Sequence, residues 1–202
     1  FKLVDYKDDG EGMVISAECF GKKMNYKMKV KGKHIAMNSL GVIAVASAAG
    51  VNIEEAAKSL AKFDVAKGRG KSFEIKLGDG KITLIDDAYN ASPASMRAAF
   101  EVLEKKKVAG GRTVAVLGNM LELGKTSPEL HAGLAKDLLE HSIDAVFTAG
   151  DLMNNLSEAL PKNKRAGHAK NSEELTPIVL SALKPNDTIL VKGSNGSKMG
   201  KI

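Results

Sequence analysis

From residue 72 onward, short apolar runs of strand length alternate with stretches in which large apolar residues recur every three or four positions. The runs at 72–77, 81–86, 113–117, 145–149 and 188–191 read as strands. Between them lie helical patterns: Met96, Phe100 and Leu103; Leu130, Leu134 and Leu138; Leu152, Leu156 and Leu160; and Leu175, Val179 and Leu183. Strands alternating with helices of about 10–14 residues are the pattern of a parallel, doubly wound sheet covered on both faces. This half of the chain is therefore expected to be α/β, with Gly78-Asp79-Gly80 turning the first two strands into a hairpin. Ser92-Pro93 and Ser127-Pro128 open two of the helices, and Asp151 and Ser172 are expected to cap two more.

The first 66 residues have a different texture. Met24, Tyr26, Met28 and Val30 alternate with polar residues, and Ile15, Ala17 and Cys19 make a weaker alternation, so residues 1–31 read as strands. Small apolar residues over 36–49 read as a tightly packed helix, and Asn52 with Glu55 resembles a capping box for a second helix over 53–62. Lys67-Gly68-Arg69-Gly70 then reads as a flexible basic hinge and marks a boundary. The chain opens at Phe1 inside a strand-like run, which points to a piece of something longer.

Composition narrows the function. The 202 residues have no apolar run long enough to span a membrane, and one cysteine excludes a disulfide framework and fits a reducing compartment. The net charge of +6 comes from scattered lysines with only four arginines, and aromatics are 4% with no Trp. That favours a solvated lysine-rich surface over a nucleic-acid platform. Two glycine-rich stretches imitate phosphate loops and fail. Gly118 and Gly124 enclose one residue too many, all of them bulky. Gly70-Lys71-Ser72 lacks its leading glycine because position 65 is Val65. The four histidines show no metal-ligand spacing, and His131 and His141, near the two ends of one helix, read as surface residues.

Two clusters remain. Asp86-Asp87-Ala88-Tyr89-Asn90, at the end of a buried strand, places two carboxylates, a phenol and an amide in one turn. Such a set can grip ribose hydroxyls and an adenine, or can be ordinary turn chemistry. Lys192-Gly193-Ser194-Asn195-Gly196-Ser197-Lys198, leaving the last strand, can bind an anion or be a lysine-bearing loop.

Taken together, these segments resemble a known family. LIDDAYNASPASM at 84–96 is similar to the DD-x-YNANP-x-SM signature of the Mur ligases that add D-alanyl-D-alanine, the MurF family. LGNMLELG at 117–124 resembles that family's LGDMLELG, and VKGSNGSKM at 191–199 its VKGSRGMKME. GKHIAMNSL at 32–40 resembles its G-x-HN-x-x-N-x-L helix start, followed by the Gly-Arg of 68–69. Ile35, Asn119 and Asn195 depart from the pattern, which has Asn, Asp and Arg there.

The resemblance implies a three-domain, ATP-dependent ligase of peptidoglycan precursor synthesis. Residues 1–66 would be the tail of its central ATP-binding domain, and 67–202 its Rossmann-like C-terminal domain. The phosphate loop and the magnesium-binding Glu would precede Phe1, so no catalytic residue or metal ligand is expected within the chain. ATP and magnesium are the implied cofactors. UDP-N-acetylmuramoyl-tripeptide and D-alanyl-D-alanine are the implied substrates, and no nucleic acid, no membrane span, a monomeric state and a cytoplasmic location are expected. Carried over by position, Asp87 would hold the ribose hydroxyls, with Asp86 as second choice. His34, Asn38, Tyr89 and Asn90 would flank the adenine, and Arg69 would reach the phosphates. Asn119, Lys192 and Ser194 would face the dipeptide. The alternatives are another Mur or folylpolyglutamate-type ligase, or a non-catalytic anion- or nucleic-acid-binding module.

Overall fold

The computed structural model describes residues 1–64 and 66–202; Val65, which denies one glycine stretch its phosphate-loop spacing, lies outside the described residues. The chain divides into two compact units, Phe1–Val65 and Ala66–Ile202.

The first unit is an antiparallel sheet of β1 (Lys2–Asp8), β2 (Met13–Cys19) and β3 (Lys22–Met28), in that order, with helices α1 (Lys33–Ala48) and α2 (Ile53–Leu60). Its core gathers Met13, Ile15, Ala17 and Cys19 from β2, Tyr26 and Met28 from β3, and Ala36, Leu40, Ile43, Ala56, Ala57 and Leu60 from the helices. The alternation that is weaker in sequence, along β2, is the more fully buried of the two, because β2 is the central strand. The Tyr26 hydroxyl is 2.7 Å from Ser39 Oγ, which itself donates to the Ala36 carbonyl, so the phenol donates and the buried polar atoms are paired. Helix α1 is not packed all round. Ala36, Ser39, Leu40 and Ile43 are buried while Met37, Val42 and Val45 stay exposed. Asn52 caps α2 by accepting from the backbone N–H groups of Glu54 and Glu55.

The second unit is a six-stranded mixed sheet. Its strands are β4 (Lys71–Leu77), β5 (Gly80–Asp87), β6 (Thr113–Gly118), β7 (Ala145–Ala149), β8 (Arg165–Ala169) and β9 (Thr188–Lys192). The spatial order is β4-β5-β9-β6-β7-β8, with β4 antiparallel to β5 and the other pairs parallel. Helices α3 (Pro93–Lys105), α4 (Ser127–Glu140) and α5 (Met153–Ala159) pack on one face and α6 (Ser172–Ala182) on the other. Central strands have two buried faces. Ala115 and Leu117 of β6 face α3 and α4, while Val114 and Val116 face the α6 side. This is the expected α/β architecture, with the hairpin adding the antiparallel edge.

Several local readings shift. β8 is an additional strand that the sequence pattern did not reveal. Asp151 does not cap α5; instead Asn119, from the loop after β6, accepts the N–H of Met153 at 3.2 Å. Asn171, not Ser172, caps α6 by accepting from Glu174. A short 3-10 turn, Gly124–Thr126, leads into α4, and Ser127 lies inside the helix. Ser92 caps α3 as expected, in a reciprocal box with Ser95.

Because β5 and β6 are followed by α3 and α4 on one face, while the chain after β9 returns to the other through Met199 and Ile202, the loops diverge around the end of β9. In open α/β sheets that divergence makes the ligand crevice.

Candidate nucleotide and substrate site

β5 ends in Asp86 and Asp87, whose side chains point to opposite faces of the sheet because strand residues alternate. Asp86 is drawn into backbone hydrogen bonds: Oδ2 accepts from the N–H of Gly68 at 3.1 Å and Oδ1 from that of Ala88 at 3.4 Å. Gly70 donates to the Asp86 carbonyl at 2.7 Å, and Tyr89 to the Gly68 carbonyl at 3.0 Å. The Lys67–Gly70 stretch, expected as a flexible hinge, is therefore laced to the acidic turn. Gly68 has φ of 77°, and a Cβ there would lie 3.1 Å from the Tyr89 backbone, so this close approach requires glycine. The lacing sets Arg69 with its guanidinium 4.2 Å from the centre of the exposed Tyr89 ring, a cation–π contact that holds both side chains at the rim.

Asp87 turns the other way. Its Oδ2 accepts from the ammonium of Lys192 at 2.6 Å, and that ammonium also donates to the Asn90 carbonyl at 2.9 Å. Lys192 is 2% exposed, so the cation sits inside the protein, paired on both contacts. Asp87 is less enclosed, with its side chain 23% exposed and no hydrogen bond on Oδ1 among the described residues. Burial raises the Asp87 carboxyl above its ordinary value, while Lys192 and Arg69 pull it back. Asn90 lies exposed beside this pair, its amide oxygen accepting from the Ala91 N–H.

At the neighbouring end of β6, Asn119 and Ser194 meet. The Ser194 N–H donates to the Asn119 carbonyl at 2.9 Å, and Ser194 Oγ accepts from the Leu121 N–H at 2.9 Å. Gly193 allows this junction, since a Cβ on it would lie 3.1 Å from the Gly118 Cα. Beneath the loop is His131, which is fully buried where the sequence reading placed a surface residue. Its Nε2 accepts from the Met120 N–H at 2.9 Å, which leaves Nδ1 to donate to the Ser127 carbonyl at 2.6 Å. The sequence did carry a signal for it, because His131 shares a helix face with Leu134, Ala135 and Leu138.

Two cavities of about 330 Å³ each open at this end of the sheet. One is lined by Lys67, Gly68, Asp86 and Tyr89, and the other by Asn119, Lys170, Ser172 and Ser197; Lys198 borders both. The structure thus gathers Arg69, Asp86, Asp87, Tyr89, Asn90 and Lys192 around one turn, with Asn119 and Ser194 at the adjoining loop. His34 and Asn38 belong to the first unit, where they lie exposed one turn apart on α1. Among the described residues no group of three or more His, Cys, Asp or Glu side chains could hold a metal ion, and no helix is long and apolar enough to cross a membrane.

Known proteins resemble this chain along its whole length. The UDP-N-acetylmuramoyl-tripeptide--D-alanyl-D-alanine ligase of Rickettsia prowazekii is 34% identical over 201 residues, covering all of this chain and 43% of the relative. That of Bacillus subtilis is 32% identical over 205 residues, again covering all of this chain and 44% of the relative. A crystal structure of MurF from Acinetobacter baumannii matches with a TM-score of 0.78 at 27% identity, covering 98% of this chain and 43% of that one. The chain spans less than half the length of the relatives it matches. Residues 73–195, most of the second unit and all of its sheet beyond the first strand's start, fit the family described as Mur ligase, glutamate ligase domain, and the chain belongs to the Mur ligase family.

Proposed function

We propose that the chain is the C-terminal portion of an ATP-dependent ligase that joins D-alanyl-D-alanine to UDP-N-acetylmuramoyl-tripeptide. ATP would phosphorylate the terminal carboxylate of the tripeptide. The amine of the dipeptide would then attack the acyl phosphate, forming the peptide bond and releasing phosphate. Residues 1–66 would be the tail of the central ATP-binding domain and 67–202 the closing C-terminal domain. Magnesium would offset charge on the transferring phosphoryl group, held by ligands of the central domain outside this chain. Synthesis from a nucleotide-linked sugar would take place in the cytoplasm, by a monomer.

The observation that carries this reading is the Asp87 carboxylate. One oxygen is held by Lys192 and the other carries no hydrogen bond among the described residues, so it can accept ribose hydroxyls. Asp86 suits the role less well, since both its oxygens accept backbone N–H groups. Tyr89 and Asn90 lie exposed beside Asp87, where they would flank an adenine, and Arg69 at the rim can reach phosphate oxygens. Asn119 and Ser194 would shape the dipeptide side through the loop they tie together.

The test is kinetic. In the complete protein, Asp87→Ala should raise the KM for ATP by on the order of tenfold or more, with the KM for the dipeptide little changed. An unaltered KM for ATP removes Asp87 from the nucleotide site.

A further inference from the structure

Lys192 stands at the end of β9, the strand between β5 and β6, and pairs in register with Asp87 on one side and Leu117 on the other. Its ammonium is buried, so it meets no solvent-borne ligand directly; among the described residues it donates to Asp87 Oδ2 and the Asn90 carbonyl. These two acceptors bracket the turn that carries Ala88 and Tyr89. Two residues further on, Ser194 ties the same strand end to Asn119 and Leu121. The other ionisable groups near the pair are Arg69, which draws on the Asp87 carboxyl, and Asp86, which opposes it.

We propose that Lys192 is a positioning residue of the nucleotide side rather than a contact of the dipeptide: its buried ammonium clamps one Asp87 oxygen and the Asn90 carbonyl, fixing the turn so that the other Asp87 oxygen is left to the ribose. The clamp rests on the reading of the acidic turn as a nucleotide site. An ammonium is suited to this because it offers three donors from a single point and can satisfy two acceptors in different directions at once. Burial strengthens the effect, since a buried charge without its partner is strongly unfavourable and the turn cannot drift from the cation without exposing that cost.

The experiment compares Lys192→Met, Asp87→Asn and the double variant in the complete protein, measuring the KM for ATP and for the dipeptide separately, together with kcat. Positioning through Asp87 predicts that Lys192→Met raises the KM for ATP about tenfold while that for the dipeptide stays within about twofold. It also predicts that the double variant is no worse for ATP than Asp87→Asn alone, because the lysine acts through that carboxylate. A rise in the dipeptide KM instead, or an unchanged ATP KM in Lys192→Met where Asp87→Asn raises it, overturns the clamp and leaves the nucleotide reading standing. If neither single variant alters the ATP KM, the nucleotide reading itself falls, and the clamp with it. Should Lys192→Met fail to fold, the double variant buries no lone charge and decides the matter. Equality with Asp87→Asn supports the clamp, and a further loss in ATP affinity overturns it.

Discussion

His131 has no solvent, and its two nitrogens meet opposite partners, so one tautomer of the neutral ring satisfies both. Protonation would put an N–H against the N–H of Met120 and break the contact that holds the loop next to Asn119. Burial accordingly lowers the His131 pKa below 6.5, against a smaller opposing pull from the Ser127 carbonyl. The sign follows from linkage: the unfolded chain binds the proton more readily, so this contribution to stability is complete above pH 6.5 and is lost as the pH falls from there through the folded value. His131→Phe should therefore cost about 1–3 kcal/mol at neutral pH, by orphaning the Met120 N–H. It should also flatten part of the stability loss on acidification. Urea unfolding of both proteins across pH 5 to 8, roughly bracketing the free imidazole value, reads both effects, and parallel pH profiles would refute the assignment.

Two part-buried ion pairs tie elements together at opposite ends of the sheet. At the carboxyl end is the Lys192 pair. At the amino end, Arg112 donates to both Asp187 oxygens, at 2.9 and 2.6 Å, and to the carbonyl of Ala182 at the end of α6. Asp187 is 1% exposed and also accepts from the Lys184 N–H, so this pair fixes how α6 turns into β9. Arg112→Met should destabilise the fold by about 3 kcal/mol, since it strands a buried carboxylate, and the added Asp187→Asn should recover part of the loss. Thermal melts of the two variants decide this; equal melting points for wild type and Arg112→Met would show the pair to be inert. The same scale explains what the sequence hid. β8 is five residues at the sheet edge, with Gly167 inside it and only Ala169 buried, so it has no alternation to read. The N–H of Met153 that opens α5 is shared between the nearby Gly150 carbonyl at 3.0 Å and the side chain of Asn119, a residue 34 positions away, and no local capping rule can see the second acceptor. At α6 both Asn171 and Ser172 are capping types, and the extended backbone of Asn171 at φ of −153° decides between them.

At the scale of the molecule, the second unit has its own sheet with buried clusters on both faces, and hydrogen bonds at the start of β9 link it to β5 and β6. Residues 66–202 expressed alone should therefore fold with a single cooperative thermal transition and dispersed amide spectra; a molten, non-cooperative product would show that the sheet depends on the rest of the chain. Periodicity, turn residues and capping pairs act over a few positions, and they determined the α/β alternation, the hairpin and the helix faces. The motifs at 84–96, 117–124 and 191–199 were likewise legible, because binding loops concentrate Gly, Asp and Asn in short runs. Tertiary structure alone decided what those residues face. The strand order that sets β9 between β5 and β6 brings Lys192 to Asp87 across 105 residues, and helix packing turned His131 inward. Burial and ion pairing depend on neighbours brought from far along the chain, and local chemistry carries no record of them.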